Sequence, residues 1–272
     1  PVLADEAVKY VGEAVALIVA ETLEQARDAA EAVQVQYHDL PALADPRDAV
    51  QQGAPQIWQE APGNLLFDWE RGDAAATEAA FARAAHVARL GTYNNRLVGG
   101  ALETRGAIAR HDATSGTTIL WTPSQGAHFL RDLLCDRVFR EPREKLRVIT
   151  EDVGGGFGPK FYLYAEHALV VWAARRLGRP VSWLAERGEN FQAEAHARDQ
   201  WTEIEMALDG DGRILAVRIQ ALANFGAYVS SFAPTIPTMG MAKVISGLYA
   251  IPAIHVAIKG VFTNTVPVDA YR

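Results

Sequence analysis

The chain has 272 residues, 49% hydrophobic and 22% charged, with a net charge of −7. This composition excludes a mainly disordered chain, and an acidic balance without clustered Lys and Arg argues against nucleic acid as a partner. The single Cys135 allows neither an internal disulfide nor a Cys-rich metal site, so a reducing, cytoplasmic compartment is expected.

Residues 8–20 (VKYVGEAVALIVA) form an apolar, β-rich run with Gly12 at a turn or bulge. Thr22 and Gln25 fit a capping box, and Leu23, Ala26, Ala30 and Val33 recur at helical spacing, predicting a short amphipathic helix. VQVQY at 33–37 alternates like a half-buried strand. Pro41–Pro62, with Pro46, Gly53 and Pro55, reads as a linker. Beyond it, a helix near 74–84 leads into a strand in HVARLGTYNN. RGAIARHD and TTILWTP then flank the turn residues Asp112–Gly116. Gln125–Phe139 is a helix with Phe129, Leu130, Leu133, Leu134 and Val138 as its apolar stripe. Lys145–Thr150 is a strand, and Asp152–Lys160 is a glycine-rich loop. Tyr162–Leu177 is the clearest helix, ended by Gly178 with Pro180 beyond. Runs 199–208 and 213–223 are joined by Asp209-Gly-Asp-Gly212, a hairpin signal.

After Arg218 the charged residues are Lys243, Lys259, Asp269 and Arg272, and Ile219–Ala242 contains none. Asn224, Gly226, Pro234, Pro237 and Gly240 interrupt that run, which excludes a spanning helix. A start at Pro1 and an abrupt stop at Tyr271-Arg272 read as a piece of a longer protein.

The loop Gly154-Gly155-Gly156-Phe157-Gly158-Pro159-Lys160 is the most informative segment. Its glycines let backbone approach a ligand and present N–H donors, and a tight structural turn would use the same residues. Nucleotide binding is disfavoured, because Pro159 and Phe161 break both phosphate-loop and dinucleotide spacing. Gln125, in TPSQGAH, lies at a strand-to-helix junction, where a polar residue is either a cap or a site residue. His128, His167 and His196 are too dispersed for a metal cluster. Cys135 falls on an apolar helix face, where an inert buried thiol is expected. Glu103 and Arg105 in ALETRG fit a buried polar pair or a surface strand equally well.

Taken together, YVGEAVALIVAETLEQARDAAEAVQVQY, ALETRGAIARHD, TPSQGAH, EDVGGGFGPK and NTVPVDAYR stand in the order found in one family. They resemble the large, molybdenum-binding subunit of the xanthine dehydrogenase, aldehyde oxidase and carbon monoxide dehydrogenase family. The resemblance implies an α+β fold: residues 1–56 as the end of an a/b hammerhead domain with its linker, then residues 57–272 as the first half of a molybdopterin-binding domain. It implies a cofactor-binding role for Gln125, at the apical oxygen of molybdenum, and for Gly156, Phe157 and Gly158 along the cofactor. It assigns Arg272 and Phe161 to the substrate side. Phe161 stands where purine-oxidising members place a glutamate, and Thr104 stands where proline is usual. The resemblance further implies that residues 219–272 pack against a second half of the domain, so in these 272 residues alone they are expected to expose apolar surface and be partly mobile, or to bury it by self-association.

The implied activity is that of a molybdenum-dependent oxidoreductase that hydroxylates a small substrate with water-derived oxygen. The implied cofactor is molybdopterin in the cytosine dinucleotide form. An iron-sulfur small subunit and an FAD medium subunit take the electrons, in a dimer of heterotrimers. The glutamate base of the family is expected beyond residue 272, as is the cysteine that binds copper in the carbon monoxide branch, so these 272 residues are expected to be inactive by themselves. The other class of function considered is a non-catalytic scaffold or binding module that keeps the fold.

Overall fold

The computed structural model describes residues 2–271. In chain order they form α1 (Leu23–Glu31), α2 (Pro46–Ala49), β1 (Leu65–Gly72), α3 (Ala74–Ala82), β2 (His86–Asn94), β3 (Gly106–Asp112), β4 (Thr117–Trp121) and α4 (Ala127–Leu133). Then follow β5 (Leu146–Ile149), α5 (Ala165–Leu177), β6 (Val181–Leu184), α6 (Arg187–Ala193), β7 (His196–Ala197), β8 (Gln200–Leu208), β9 (Ile214–Asn224), β10 (Ala253–Val261) and β11 (Val268–Asp269). Two compact units emerge, the first from residues up to Leu40 with Gly99–Glu194, the second from Pro41–Val98 with Ala195–Tyr271.

In the first unit α1 starts as the sequence predicts. The Thr22 hydroxyl accepts from Gln25 N–H at 3.2 Å, and the Gln25 side chain accepts from Thr22 N–H at 3.3 Å. The flanking runs 8–20 and 33–37 are not strands. A strand exists only where a second backbone supplies a ladder of donors and acceptors; Ala14 O accepts from Ala4 N–H at 2.8 Å, but among the described residues no ladder forms along these runs. Val11, Val33, Val35, Tyr37 and Leu40 accordingly stand exposed.

The core of this unit is a four-stranded sheet in the order β5-β4-β3-β6, with β3 antiparallel to β4 and β6, and β4 parallel to β5. Helix α5 packs Val170, Val171 and Ala174 against Ala107, Ala109, Leu120 and Leu146 of the sheet, with Leu130, Leu134 and Cys135 completing the cluster. These α5 positions recur at three- and four-residue spacing, the helical period read from sequence. Gly178 ends α5 in the left-handed conformation (φ 63°). The predicted Gln125–Phe139 helix is α4, starting two residues later and continuing as a π-helical turn over Leu134–Phe139.

His167, in the first turn of α5, is buried, and burial together with the Arg105 charge pushes its pKa down from 6.5 to about 3. Its Nδ1 accepts from Tyr164 N–H at 3.2 Å. The Thr122 hydroxyl donates to Gly106 O at 2.7 Å, so His167 Nε2, 3.3 Å away, carries the proton and donates to Thr122. Below pH 6.5 the unfolded chain gains a proton that the fold refuses, so stability falls as pH drops toward 3. The slope is roughly 1.4 kcal/mol per pH unit from this group. His167→Gln keeps an acceptor and a donor but cannot titrate. Urea unfolding at pH 7 to 4 should show a shallower acid loss for the variant; identical slopes would contradict the assignment.

The second unit is built on a five-stranded sheet in the order β1-β10-β9-β8-β2. The hairpin β8–β9 turns at Asp209–Gly212, as predicted, with Asp209 Oδ1 accepting from Asp211 and Arg213 N–H. On β9, Val217, Ile219, Ala221 and Ala223 alternate into the core beside Val256 and Ile258 of β10. Helix α3 packs Ala80 against Ala207, Ala216 and Ala253.

The stretch read as a linker is anchored in this unit. Asp45 caps α2, and buried Asn64 donates to Ala49 O and Pro55 O while accepting from Ile57 N–H, all three at 2.9 Å. The charge-poor tail meets its expectation in part, with exposed apolar side chains in one stretch and burial in another. Its β9 and β10 segments are buried inside the sheet, because β10 inserts between β1 and β9, and apolar exposure is concentrated at Val229, Phe232, Ile236, Met239, Val244, Leu248 and Tyr249. Among the described residues no helix is long and apolar enough to cross a membrane.

Candidate cofactor site

Strands β4 and β5 of the first unit run parallel, with Trp121 beside Ile149. The segments leaving their carboxyl ends are therefore neighbours, the position where open α/β sheets gather ligands. Gln125 follows β4 and the glycine loop follows β5. Thr150 Oγ1 donates to Thr122 O at 2.9 Å, holding the two exits together.

Gln125 ties the loop from one side. Its N–H donates to Lys160 O at 3.0 Å, and its Oε1 accepts from Gly158 N–H at 2.8 Å. An amide whose oxygen is committed to a donor has its NH2 turned elsewhere, so Gln125 Nε2 is left as a donor at an exposed position. A Cβ on Gly156 would lie 2.5 Å from Gln125 Cδ and 2.6 Å from its Oε1, so glycine is required for this packing. Gly155 (φ 100°), Phe157 (φ 53°) and Gly158 (φ 105°) adopt left-handed backbone, which the two glycines take without strain and Phe157 at a cost of about 1 kcal/mol. Among the described residues the N–H groups of Gly155 and Gly156 have no hydrogen-bond acceptor.

On the other side of the loop, Glu103 Oε2 accepts from Gly154 N–H at 2.8 Å and pairs with Lys160 Nζ at 2.7 Å. Burial by itself would raise the Glu103 carboxyl, but Lys160 and Gly154 N–H outweigh it and hold the carboxyl below its ordinary range. Phe161 stacks on Phe129 with centroids 4.9 Å apart and planes 10° apart, its ring against Gly126, where a Cβ would approach to 2.6 Å.

A profile for the molybdopterin cofactor-binding domain matches residues 57–272, and one for the aldehyde oxidase and xanthine dehydrogenase a/b hammerhead domain matches residues 1–41. The chain belongs to this family. It is 37% identical over its whole length to the carbon monoxide dehydrogenase large chain of Hydrogenophaga pseudoflava, of which it covers 35%. It is likewise 35% identical over its whole length to the nicotine 6-hydroxylase large subunit of Paenarthrobacter nicotinovorans, covering 33% of it. Among solved structures, 99% of the chain superposes on 36% of the Cu,Mo-CO dehydrogenase chain in its carbon monoxide reduced state, with TM-score 0.93 and 35% identity. Quinoline 2-oxidoreductase from Pseudomonas putida 86 gives TM-score 0.91 at 36% identity, over 100% of this chain and 34% of that one. The chain thus spans about a third of the length of these members of the molybdenum hydroxylase family.

The residues bracketing the loop fit the group for which the family is named. Amide donors bind oxygen atoms without adding charge, and the missing Cβ atoms open the backbone to close approach. Gln125, Gly156, Phe157 and Gly158 lie together, and Phe161 stands at the adjacent aromatic shelf. Arg272 lies outside the described residues. Among the described residues no group of three or more His, Cys, Asp or Glu side chains could hold a metal ion. Cys135 is fully buried, and burial raises its thiol, as an inert core residue requires.

Sequence reasoning left Glu103 and Arg105 undecided between a buried pair and a surface strand, and the structure supports neither form. Glu103 turns to Lys160 and Gly154. Arg105 is buried against Glu166 at 2.9 Å, with Tyr164 4.0 Å beneath the guanidinium. Lys160 was overlooked as a site residue. As the final residue of a glycine loop it reads as surface, yet its side chain is 1% exposed.

Proposed function

We propose that this chain forms the Gln125 and glycine-loop wall of the molybdenum cofactor site in a molybdenum hydroxylase large subunit. The supporting observation is the orientation of the Gln125 amide, whose oxygen is occupied by Gly158 N–H while its NH2 remains a donor, with the Gly155 and Gly156 N–H groups of the same loop also without acceptors among the described residues. These neutral donors would hold oxygen atoms of molybdopterin, in its cytosine dinucleotide form. When bound, that group supplies the two-electron chemistry by which a carbon is hydroxylated with oxygen from water.

The protein's part is positioning: Gln125 orients, Gly156 and Gly158 permit close approach, and Phe157 covers the cofactor. Phe161 on Phe129 presents an aromatic surface on the substrate side where a carboxylate would favour purines. Uncharged aldehydes or heteroaromatics suit such a surface. The proton-transfer base would come from residues after 272, and electrons would pass to an iron-sulfur subunit and an FAD subunit in a cytoplasmic dimer of heterotrimers.

The test is to express the complete gene product with its neighbouring subunits, measure molybdenum per protein and assay aldehyde oxidation. Stoichiometric molybdenum with activity is expected. A well-folded protein that binds no molybdenum and oxidises nothing would favour the scaffold reading instead.

A further inference from the structure

Two brackets hold the Gly154–Gly158 loop. At its exit Gln125 bonds Gly158 N–H and Lys160 O. At its entry Glu103 grips Gly154 twice, through Oε2 to the Gly154 N–H at 2.8 Å and through its own N–H to Gly154 O at 3.1 Å. Packing there is close enough that a Cβ on Gly154 would lie 2.5 Å from Glu103 Cβ. Lys160 joins the brackets, since its carbonyl accepts from Gln125 and its ammonium donates to Glu103 Oε2. The Lys160 side chain is 1% exposed and that of Glu103 38% exposed, so the lysine has been taken out of water to meet one oxygen. A lysine held this way costs desolvation that a merely apolar plug would avoid, which is reason to look for a role in positioning.

We infer that Lys160 and Glu103 are a positioning pair for the cofactor donors: their ion pair fixes the loop so that Gly155 N–H, Gly156 N–H and Gln125 Nε2 converge before the cofactor arrives. This rests on the reading of the loop as the cofactor wall. Donors aimed in advance bind without reorganisation, so the pair should act on cofactor retention more than on folding.

The test uses the full-length holoprotein carrying Lys160→Met, Glu103→Gln or both, with Arg27→Ala, at the exposed Arg27–Glu186 pair, as control. Three quantities are read: molybdenum per folded protein, the rate of molybdenum loss on dilution, and the melting temperature of cofactor-free protein. Lys160→Met should speed molybdenum loss at least tenfold. Glu103→Gln, which keeps an acceptor for Gly154 N–H, should speed it severalfold, and the double variant should be no worse than Lys160→Met. Arg27→Ala should match wild type.

Wild-type retention in both single variants, or loss only in proportion to a lowered folded fraction, would overturn the inference. If Lys160→Met fails to fold, the Glu103→Gln loss rate decides. A wild-type protein without molybdenum would instead defeat the cofactor reading itself.

Discussion

Gly156→Ala should strip the full-length protein of at least nine-tenths of its molybdenum while leaving its melting temperature close to wild type. The new Cβ falls 2.5–2.7 Å from Gln125 Cδ, Oε1 and Cγ, so the Gln125 side chain must swing away and release Gly158 N–H. Gln125 is exposed, and Gly156 is outside the set of left-handed glycines, so the backbone tolerates alanine and the fold loses little. Gly178→Ala provides the opposite case. Its Cβ meets nothing within 4 Å, but φ is 63°, so it should cost about 1 kcal/mol of stability and leave molybdenum content unchanged. Molybdenum analysis and thermal melts of the two variants separate site damage from strain. Equal molybdenum in Gly156→Ala and wild type would contradict the assigned role of Gln125.

The second large effect is expected at Arg105→Met, with a loss of about 3–5 kcal/mol in urea unfolding. Arg105 is 3% exposed, pairs with Glu166 at 2.9 Å and lies over the Tyr164 ring. Burial disfavours its charge, but Glu166 and its other neighbours outweigh this and hold the guanidinium pKa above its ordinary value. Burial likewise pushes the Glu166 carboxyl up, against the pull of Arg105. Removing the cation leaves that carboxyl buried without its partner. Adding Glu166→Gln should therefore recover a large share of the loss, since breaking a buried pair costs far more than replacing it. Additive losses in the double variant would show that the ion pair is not the source of the effect.

The sequence made local features plain where one short segment determines them. Thr22 and Gln25 cap α1 with no help from elsewhere, Asp209–Gly212 turns its own hairpin, and Gly178 ends α5. It misled where an element depends on a distant backbone. Runs 8–20 and 33–37 have strand composition but no ladder partner among the described residues. Strand β10 instead pairs with β9 in parallel after a long excursion, hiding much of the charge-poor tail. The stretch 41–62 does span the junction between the two family profiles, but proline and glycine spacing cannot reveal the Asn64 hydrogen bonds that fasten it.

At the site, Gln125 and the glycine loop were visible through their family motifs, and the structure adds which amide atom is committed and which is free. The Glu103–Lys160 pair was not legible, because 57 positions separate its members and neither residue type indicates burial.

The most direct measurement is a high-resolution diffraction structure of the full-length, cofactor-loaded protein. The predicted result is Gln125 Oε1 still on Gly158 N–H, with Gln125 Nε2 and the Gly155 and Gly156 N–H groups within hydrogen-bond distance of cofactor oxygens. A cofactor bound elsewhere, or a Gln125 amide with its oxygen turned toward the cofactor, would contradict the account.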